Sequence, residues 1–212
     1  MVIDPKRHIT QICTLIYQRR LSDSAGGNVS VRQNGKIYVT PRFMGSKRRW
    51  HINPEDVVVL EEANAFEQAS QHPMVSREVK VHLAVYANFP KAGAVIHAHP
   101  ENLMVFASAE QPLPPTSDQT AKFGTVPVVP YAKAHTQALA DVVVDSLKPM
   151  ESGLESHGIA CLLPRHGVVV VGRDLDDAYD TLERLDGSAR IFLMKKLLEL
   201  SVGSFDKQTS ID

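Results

Sequence analysis

The sequence has little that would tie it to an oxidising compartment, a membrane or a nucleic acid. Its 212 residues include only two cysteines, and the formal net charge is −1. Cys13 and Cys161 both lie in apolar surroundings, which predicts reduced core thiols and a cytoplasmic protein rather than a disulfide framework. A near-neutral balance without a basic stripe argues against a nucleic acid partner. No apolar run reaches membrane-spanning length, and the first residues do not resemble a signal peptide, so no membrane association is expected.

The chain also has no internal repeat and no low-complexity linker. Its composition is that of a globular protein. Hydrophobic residues make up 43% and charged residues 22% of the chain, which is enough for one well-buried domain over residues 1–212. The predicted order is helix, hairpin, strand, helix, strand, helix, strand, helix, two strands and helix. This order favours an α/β fold of three layers (α/β/α), with a largely antiparallel central sheet flanked by helices. The tail after about residue 200 is polar and is expected to fray.

Caps and turn residues predict several element boundaries. Asp4 and Pro5 predict the start of a helix that continues to about Leu21. Asn34 and Gly35, flanked by apolar alternation, predict a hairpin turn. Polar composition predicts loops or turns at residues 47–49, 61–71 and 151–157. The prolines in residues 126–130 predict an edge or irregular strand.

Two histidines close an apolar run over residues 93–100. In a strand, side chains alternate between faces, so His97 and His99 are expected to point the same way. Two imidazoles on one face at the end of a buried strand can bind a divalent transition metal. The same pattern also fits two polar side chains at a strand end, each bonded to backbone or water.

A third histidine, His166, lies in a tight turn between two apolar strands, exposed to whatever lies at that end of the sheet. Three imidazoles leave an open position on a divalent ion, as catalytic metal sites do. Glu78 is a candidate fourth ligand or acid–base group, although its place after the N-cap residue Ser76 also fits a favourable helix-dipole contact. His82 is expected at the edge of the core or on the surface.

A pair of glycines precedes the first predicted strand. Gly26 and Gly27 suit either a plain helix C-cap or an anion site in which backbone N–H groups act with the side chains of Asn28 and Ser30.

The chain resembles the class II aldolase/adducin family, which includes fuculose-phosphate aldolase, ribulose-phosphate 4-epimerase and methylthioribulose-phosphate dehydratase. Four motifs carry the resemblance, in the family's order and spacing, over about residues 5–200. They are Gly27-Asn28-Val29-Ser30, Ser76-Arg77-Glu78 followed by His82-Leu83-Ala84-Val85-Tyr86, His97-Ala98-His99-Pro100, and Arg165-His166-Gly167.

The resemblance implies a zinc ion, or alternatively Mn²⁺, Fe²⁺ or Co²⁺, held by the three histidines. It implies that Glu78 is the acid–base residue and also ligates the ion when no substrate is bound. It further implies a homotetramer with active sites between subunits. The residues expected to bind the substrate phosphate are Gly27, Asn28, Thr40, Arg42, Ser76 and Arg77.

Three departures from the family pattern bear on the reaction. Arg42 and Arg77 place guanidinium groups where the aldolases use hydroxyls, so the recognised anion can be phosphate or carboxylate. The tyrosines that serve the aldolases as proton donors have no counterpart here. Asp118 is a candidate replacement, because the epimerases use an aspartate in this region, but it also fits an ordinary loop residue.

The resemblance therefore implies an aldolase, a carbon–carbon lyase that cleaves a small phosphorylated ketose such as L-fuculose 1-phosphate through a metal-bound enediolate. An epimerase, dehydratase or decarboxylase acting at the same metal site is the alternative. A non-catalytic, adducin-like assembly module is the third hypothesis.

Overall fold

The computed structural model describes residues 4–208, with side chains through residue 201. Six strands form one sheet in the order β3-β2-β1-β4-β6-β5, and every neighbouring pair is antiparallel. The strands are β1 (Asn28–Gln33), β2 (Lys36–Val39), β3 (Val58–Glu61), β4 (Ala94–Ala98), β5 (Ile159–Leu163) and β6 (Gly167–Gly172).

Eight α-helices and three 3₁₀ segments surround the sheet in the described residues. The helices are α1 (Pro5–Gln18), α2 (Met44–Arg48), α3 (Ala65–Gln71), α4 (Val79–Asn88), α5 (Glu101–Ala109), α6 (Asp118–Ala121), α7 (Gln137–Leu147) and α8 (Leu175–Gln208). The 3₁₀ segments are Pro54–Asp56, Glu62–Asn64 and Lys148–Glu155. None of the described helices is long and apolar enough to cross a membrane.

Alternation along the central strands divides the core into two layers. Ile96 of β4 and Val170 of β6 pack with buried residues of α1, α5 and α8 on one face. Val95 and Val169 pack with α4 and α7 on the other face. The sheet is thus covered by helices on both sides, which confirms the predicted three-layer α/β/α fold. By the same alternation, His97 lies on the α4 side of β4.

Local capping and turn chemistry explain the best-predicted boundaries. The Asp4 side chain accepts a hydrogen bond from the Lys6 N–H at 3.0 Å, and Pro5 opens α1. The helix ends at Gln18, three residues before the predicted end, where Arg20 takes a left-handed φ of 57°. Asn34 and Gly35 both have positive φ and form the predicted two-residue hairpin turn.

Tertiary packing overrides several predictions made from local polarity. Residues 61–71 were predicted as a loop but contain α3, because Ala65 packs into the core and the Gln68 side chain accepts a hydrogen bond from the Glu61 N–H at 2.8 Å. Residues 44–48 form the short helix α2, and residues 148–155 are 3₁₀ rather than loop. Residues 126–130 contribute only isolated bridges. Helix α8 continues past residue 200 to Gln208, where fraying was expected.

Candidate metal centre

The three predicted histidines meet at one end of the sheet. His97 is the penultimate residue of β4, His99 follows the strand end, and His166 immediately precedes β6. Because β4 pairs with β6, with Ala98 opposite Val168, the turn that carries His166 lies beside both other rings. One nitrogen from each ring lies within 4.8 Å of the others. This separation suits three ligands of a single divalent ion.

Hydrogen bonds to the outer nitrogens orient two of the rings. The Nδ1–H of His97 donates to the carbonyl oxygen of Val168, and that of His99 donates to the Asp23 carboxylate, each at 3.0 Å. Both acceptors lack a proton, so Nδ1 carries the hydrogen in each ring, and the neutral form of each ring has its lone pair on Nε2. The two Nε2 atoms are 3.3 Å apart. In the neutral rings both Nε2 atoms are free to bind the same divalent ion, so the donor set fits a metal ion.

The protonation state of His99 also suits a metal ligand. Burial lowers the pKa of His99 to about 4, and the neighbouring positive charge of His97 acts in the same direction. His99 is therefore neutral at pH 7 and available as a ligand.

Glu78 joins this cluster from the residue before α4. Its Oε1 is 3.1 Å from Nε2 of His166, its Oε2 is 3.3 Å from Nε2 of His97, and Asn28 donates to Oε2 at 3.3 Å. Burial opposes ionisation, but the charges and hydrogen bonds of His97 and His166 outweigh it and lower the pKa of Glu78 below its usual range. The carboxylate is placed to ligate an ion or to accept a proton. Ser76 accepts from the Glu78 N–H at 3.3 Å, so it caps the turn before α4 rather than the helix itself.

An open cavity of about 380 Å³ lies beside the cluster and is large enough for a small ligand. Glu78, His99 and His166 form part of its wall. The expected anion-binding residues Gly27, Asn28, Arg42, Ser76 and Arg77 also line it. Arg77 is exposed and makes no ion pair with any residue in the described part of the chain. Arg42 stacks on Phe43 at 4.4 Å and donates to the Pro73 carbonyl oxygen at 3.3 Å.

Position 27 requires glycine because of its backbone conformation and its close neighbours. Its φ is 103°, and an added Cβ would lie 2.5 Å from the Trp50 ring and 2.9 Å from the His97 carbonyl oxygen. We expect Gly27→Ala to lower the free energy of unfolding by about 3 kcal/mol, measured by urea denaturation. Gly35→Ala is the matched control, because Gly35 also has a positive φ (71°) but nothing within 4 Å of an added Cβ. Equal losses in both variants would contradict the steric explanation.

The structure does not bring three of the sequence candidates to the cavity. Thr40 is fully buried, and its hydroxyl accepts from the Val29 N–H at 3.0 Å, so it anchors the start of the cavity loop and does not line the cavity. Asp118 is exposed at the start of α6 and contacts none of the cluster residues within this chain. Ser30 is fully buried and bonds to His82 Nδ1 at 2.7 Å, which excludes it from an exposed anion site.

His82 is wholly buried, contrary to the expected edge or surface position. Its Nδ1 bonds to Ser30, which also bonds to the Tyr86 hydroxyl at 2.8 Å. Burial lowers the pKa of His82 to about 3, so the ring is neutral. The Ser30 hydroxyl of β1 satisfies Nδ1 inside this layer, whereas Nε2 has no hydrogen-bond partner among the described residues.

Two site residues were missed by sequence reasoning. Asp23 orients His99, and His135 places Nδ1 at 3.5 Å from Oε1 of Glu78. Asp23 lies shortly before the pair Gly26 and Gly27, which is only a weak signal in the sequence. His135 is a lone histidine in a polar segment, and no spacing connects it to the other histidines.

Fold and site together define an α/β protein with a candidate divalent-metal centre of three imidazoles beside a buried carboxylate. Residues 7–193 match the family model described as "Class II Aldolase and Adducin N-terminal domain", and the chain belongs to this family. The match confirms the resemblance inferred from the four motifs. Class II aldolases are metal-dependent, and membership supports an enzyme of the aldolase or lyase type.

Individual relatives agree with this assignment. The chain is 30% identical over 172 residues to an L-fuculose phosphate aldolase of Haemophilus influenzae, covering 80% of this chain and 73% of the relative. It is 29% identical to a 3-oxo-tetronate 4-phosphate decarboxylase of the same organism, covering 88% and 86%. A solved L-fuculose 1-phosphate aldolase shares the fold with a TM-score of 0.77 and 24% identity, covering 93% of this chain and 89% of that one.

Proposed function

We propose that this protein is a divalent-metal-dependent aldolase that cleaves a small phosphorylated ketose, such as L-fuculose 1-phosphate, into two carbonyl fragments. The observation that carries the proposal is the convergence of three imidazole nitrogens within 4.8 Å beside the Glu78 carboxylate, at the wall of a cavity. The similarity to L-fuculose phosphate aldolases supports this substrate class.

His97, His99 and His166 would hold the ion, with Glu78 as a further ligand when no substrate is bound. Zinc is the proposed metal, because borderline imidazole ligands suit it, and Mn²⁺, Fe²⁺ and Co²⁺ are the alternatives. The bound ion would supply a Lewis acid that withdraws electron density from the ketose carbonyl.

Glu78 is the proposed acid–base residue. Cleavage of the carbon–carbon bond removes a proton from a hydroxyl and leaves an electron pair on the carbon next to the carbonyl. A proton must then be returned to that carbon. The buried Glu78 carboxylate can accept and return a proton, and Asn28 holds its Oε2 during the exchange.

Gly27, Asn28, Ser76, Arg42 and Arg77 are proposed to bind the substrate phosphate. Backbone N–H groups and the Ser76 hydroxyl can donate to phosphate oxygens, while the guanidinium groups add charge-assisted donors. Binding the remote phosphate would orient the reacting carbons beside Glu78.

Arg77→Gln is expected to raise KM by about tenfold or more, because a charge-assisted hydrogen bond to the substrate anion is lost. Steady-state kinetics with a phosphorylated ketose would measure this. Lys80→Gln is the matched control, since it removes an exposed positive charge close by that does not line the cavity. An unchanged KM in Arg77→Gln would remove Arg77 from the anion site.

A sugar-acid phosphate decarboxylase is the second candidate, because two arginines line the cavity and a relative carries that name. Mass analysis of products separates the reactions. Aldol cleavage gives two fragments, decarboxylation releases carbon dioxide, dehydration loses water, and epimerisation leaves the mass unchanged. Metal binding without turnover of any tested sugar phosphate would favour the adducin-like assembly module.

The proposal also covers the oligomeric state and the cellular compartment. We propose a homotetramer with active sites between subunits, in which Asp118 would reach a site only from a neighbouring copy. Both cysteines are buried and unpaired, which suits the reducing cytoplasm.

A further inference from the structure

His135 lies against Glu78 without belonging to the three-histidine cluster. Its Nδ1 is 3.5 Å from Oε1 of Glu78, its side chain is 39% exposed, and its ring lines the same cavity. Among the described residues, Glu78 is the one ionic partner of this ring. The ring therefore has no structural hydrogen bond of its own to explain its position.

Metal binding would change which groups can donate to Glu78. An imidazole that ligates through Nε2 keeps its proton on Nδ1, so His97 and His166 could no longer donate from Nε2. Two neighbours remain. Asn28 donates to Oε2 at 3.3 Å, and His135 lies 3.5 Å from Oε1. Each carboxylate oxygen would then have one donor of its own.

The backbone of His135 is held in an unfavourable conformation. Its φ is 68°, in the left-handed region, where the Cβ of an L-residue crowds the backbone. Glycine adopts this conformation freely. Strain of this kind is concentrated at functional sites, where the surrounding structure maintains it. A histidine at this position therefore lowers stability relative to glycine.

We propose that His135 is a positioning residue that holds Oε1 of Glu78 through its Nδ1–H and does not ligate the metal ion. This inference rests on the proposed function, because it requires Glu78 to exchange a proton with substrate. No covalent bond forms or breaks at His135. A hydrogen bond at this oxygen would orient the carboxylate towards the substrate when the three imidazoles hold the ion.

Three variants of the metal-loaded full chain, His135→Gly, His135→Ala and His135→Asn, test the proposal. We expect His135→Gly to raise the Tm by about 2–4 °C, because strain is relieved. We expect kcat to fall by about 10–100-fold in both His135→Gly and His135→Ala, with the KM and metal content of the parent protein. His135→Asn tolerates the left-handed conformation and retains an N–H donor, so it should recover part of kcat.

Asn34→Gly is the matched control, since Asn34 has a φ of 52° in an exposed hairpin turn and its change should leave kcat unaltered. Parental kcat in an active background for His135→Gly would overturn the inference alone. Loss of bound metal in His135→Ala would also overturn it by making His135 a ligand. A parent protein without lyase activity would overturn both the proposed function and this inference.

Discussion

Glu78→Gln is expected to retain the bound metal ion and to lower kcat by about 10²–10⁴-fold. Glutamine keeps the shape of the side chain and can still accept from Asn28, but it cannot take up the proton that cleavage requires. Glu78 is buried at the junction of His97, His166 and Asn28, which places its carboxylate for the proposed proton exchange. Single-turnover kinetics together with metal analysis would measure the two effects separately.

The matched control for Glu78→Gln is Glu101→Gln. Glu101 occupies the first turn of α5 with a side chain that is 65% exposed. Like Glu78, it lies near a helix N-terminus, but it is outside the three-histidine cluster. If both variants retained parental kcat, the Glu78 carboxylate would contribute only to the stability of the helix N-terminus, and the proposed acid–base role would be wrong.

A second large effect is expected from removing two of the proposed metal ligands. Divalent metal should raise the Tm of the parent protein, since an ion present at one hundred times its Kd adds about 2.7 kcal/mol to the free energy of unfolding. The His97→Ala, His166→Ala double variant should show no metal-dependent shift and no measurable turnover, because a single imidazole with Glu78 cannot hold the ion in place. Thermal denaturation with zinc and with a chelator would measure the difference.

His72→Ala is the control for the ligand variants, because His72 is exposed and lies outside the cluster. It should retain the full metal-dependent shift. An equal shift in the double variant would place the ion elsewhere on the protein and would contradict the assignment of the histidines.

The sequence predicts the fold well because the decisive signals are local. Continuous apolar runs predict the buried strands β4 and β6, and Asn34 with Gly35 predict the hairpin. Prediction is poorer where a distant partner decides the outcome. Residues 65–71 are polar enough for a loop but become helical because Ala65 packs into the core. His82 becomes buried because Ser30, on a separate strand, supplies its hydrogen bond.

In the candidate site too, residues in local motifs are predicted and residues from distant loops are not. The spacing of His97 and His99 predicts a shared face, and the family pattern adds His166 and Glu78, all of which the structure brings together. Asp23 and His135 reach the cluster from loops, where no periodicity relates their side chains to the histidines. Thr40 matches the family's phosphate loop in sequence, but its hydroxyl accepts a hydrogen bond from the backbone of β1. That contact depends on another strand and could not be predicted from local sequence.

The most direct test of the three-histidine metal centre is the metal content of the purified protein, measured by elemental mass spectrometry. The proposal predicts about one zinc, manganese, iron or cobalt ion per chain, and no ion in a His97→Ala, His99→Ala variant. No bound ion in the parent protein, even after incubation with excess metal, would contradict it, because the three imidazole nitrogens that lie within 4.8 Å of one another would then hold no metal.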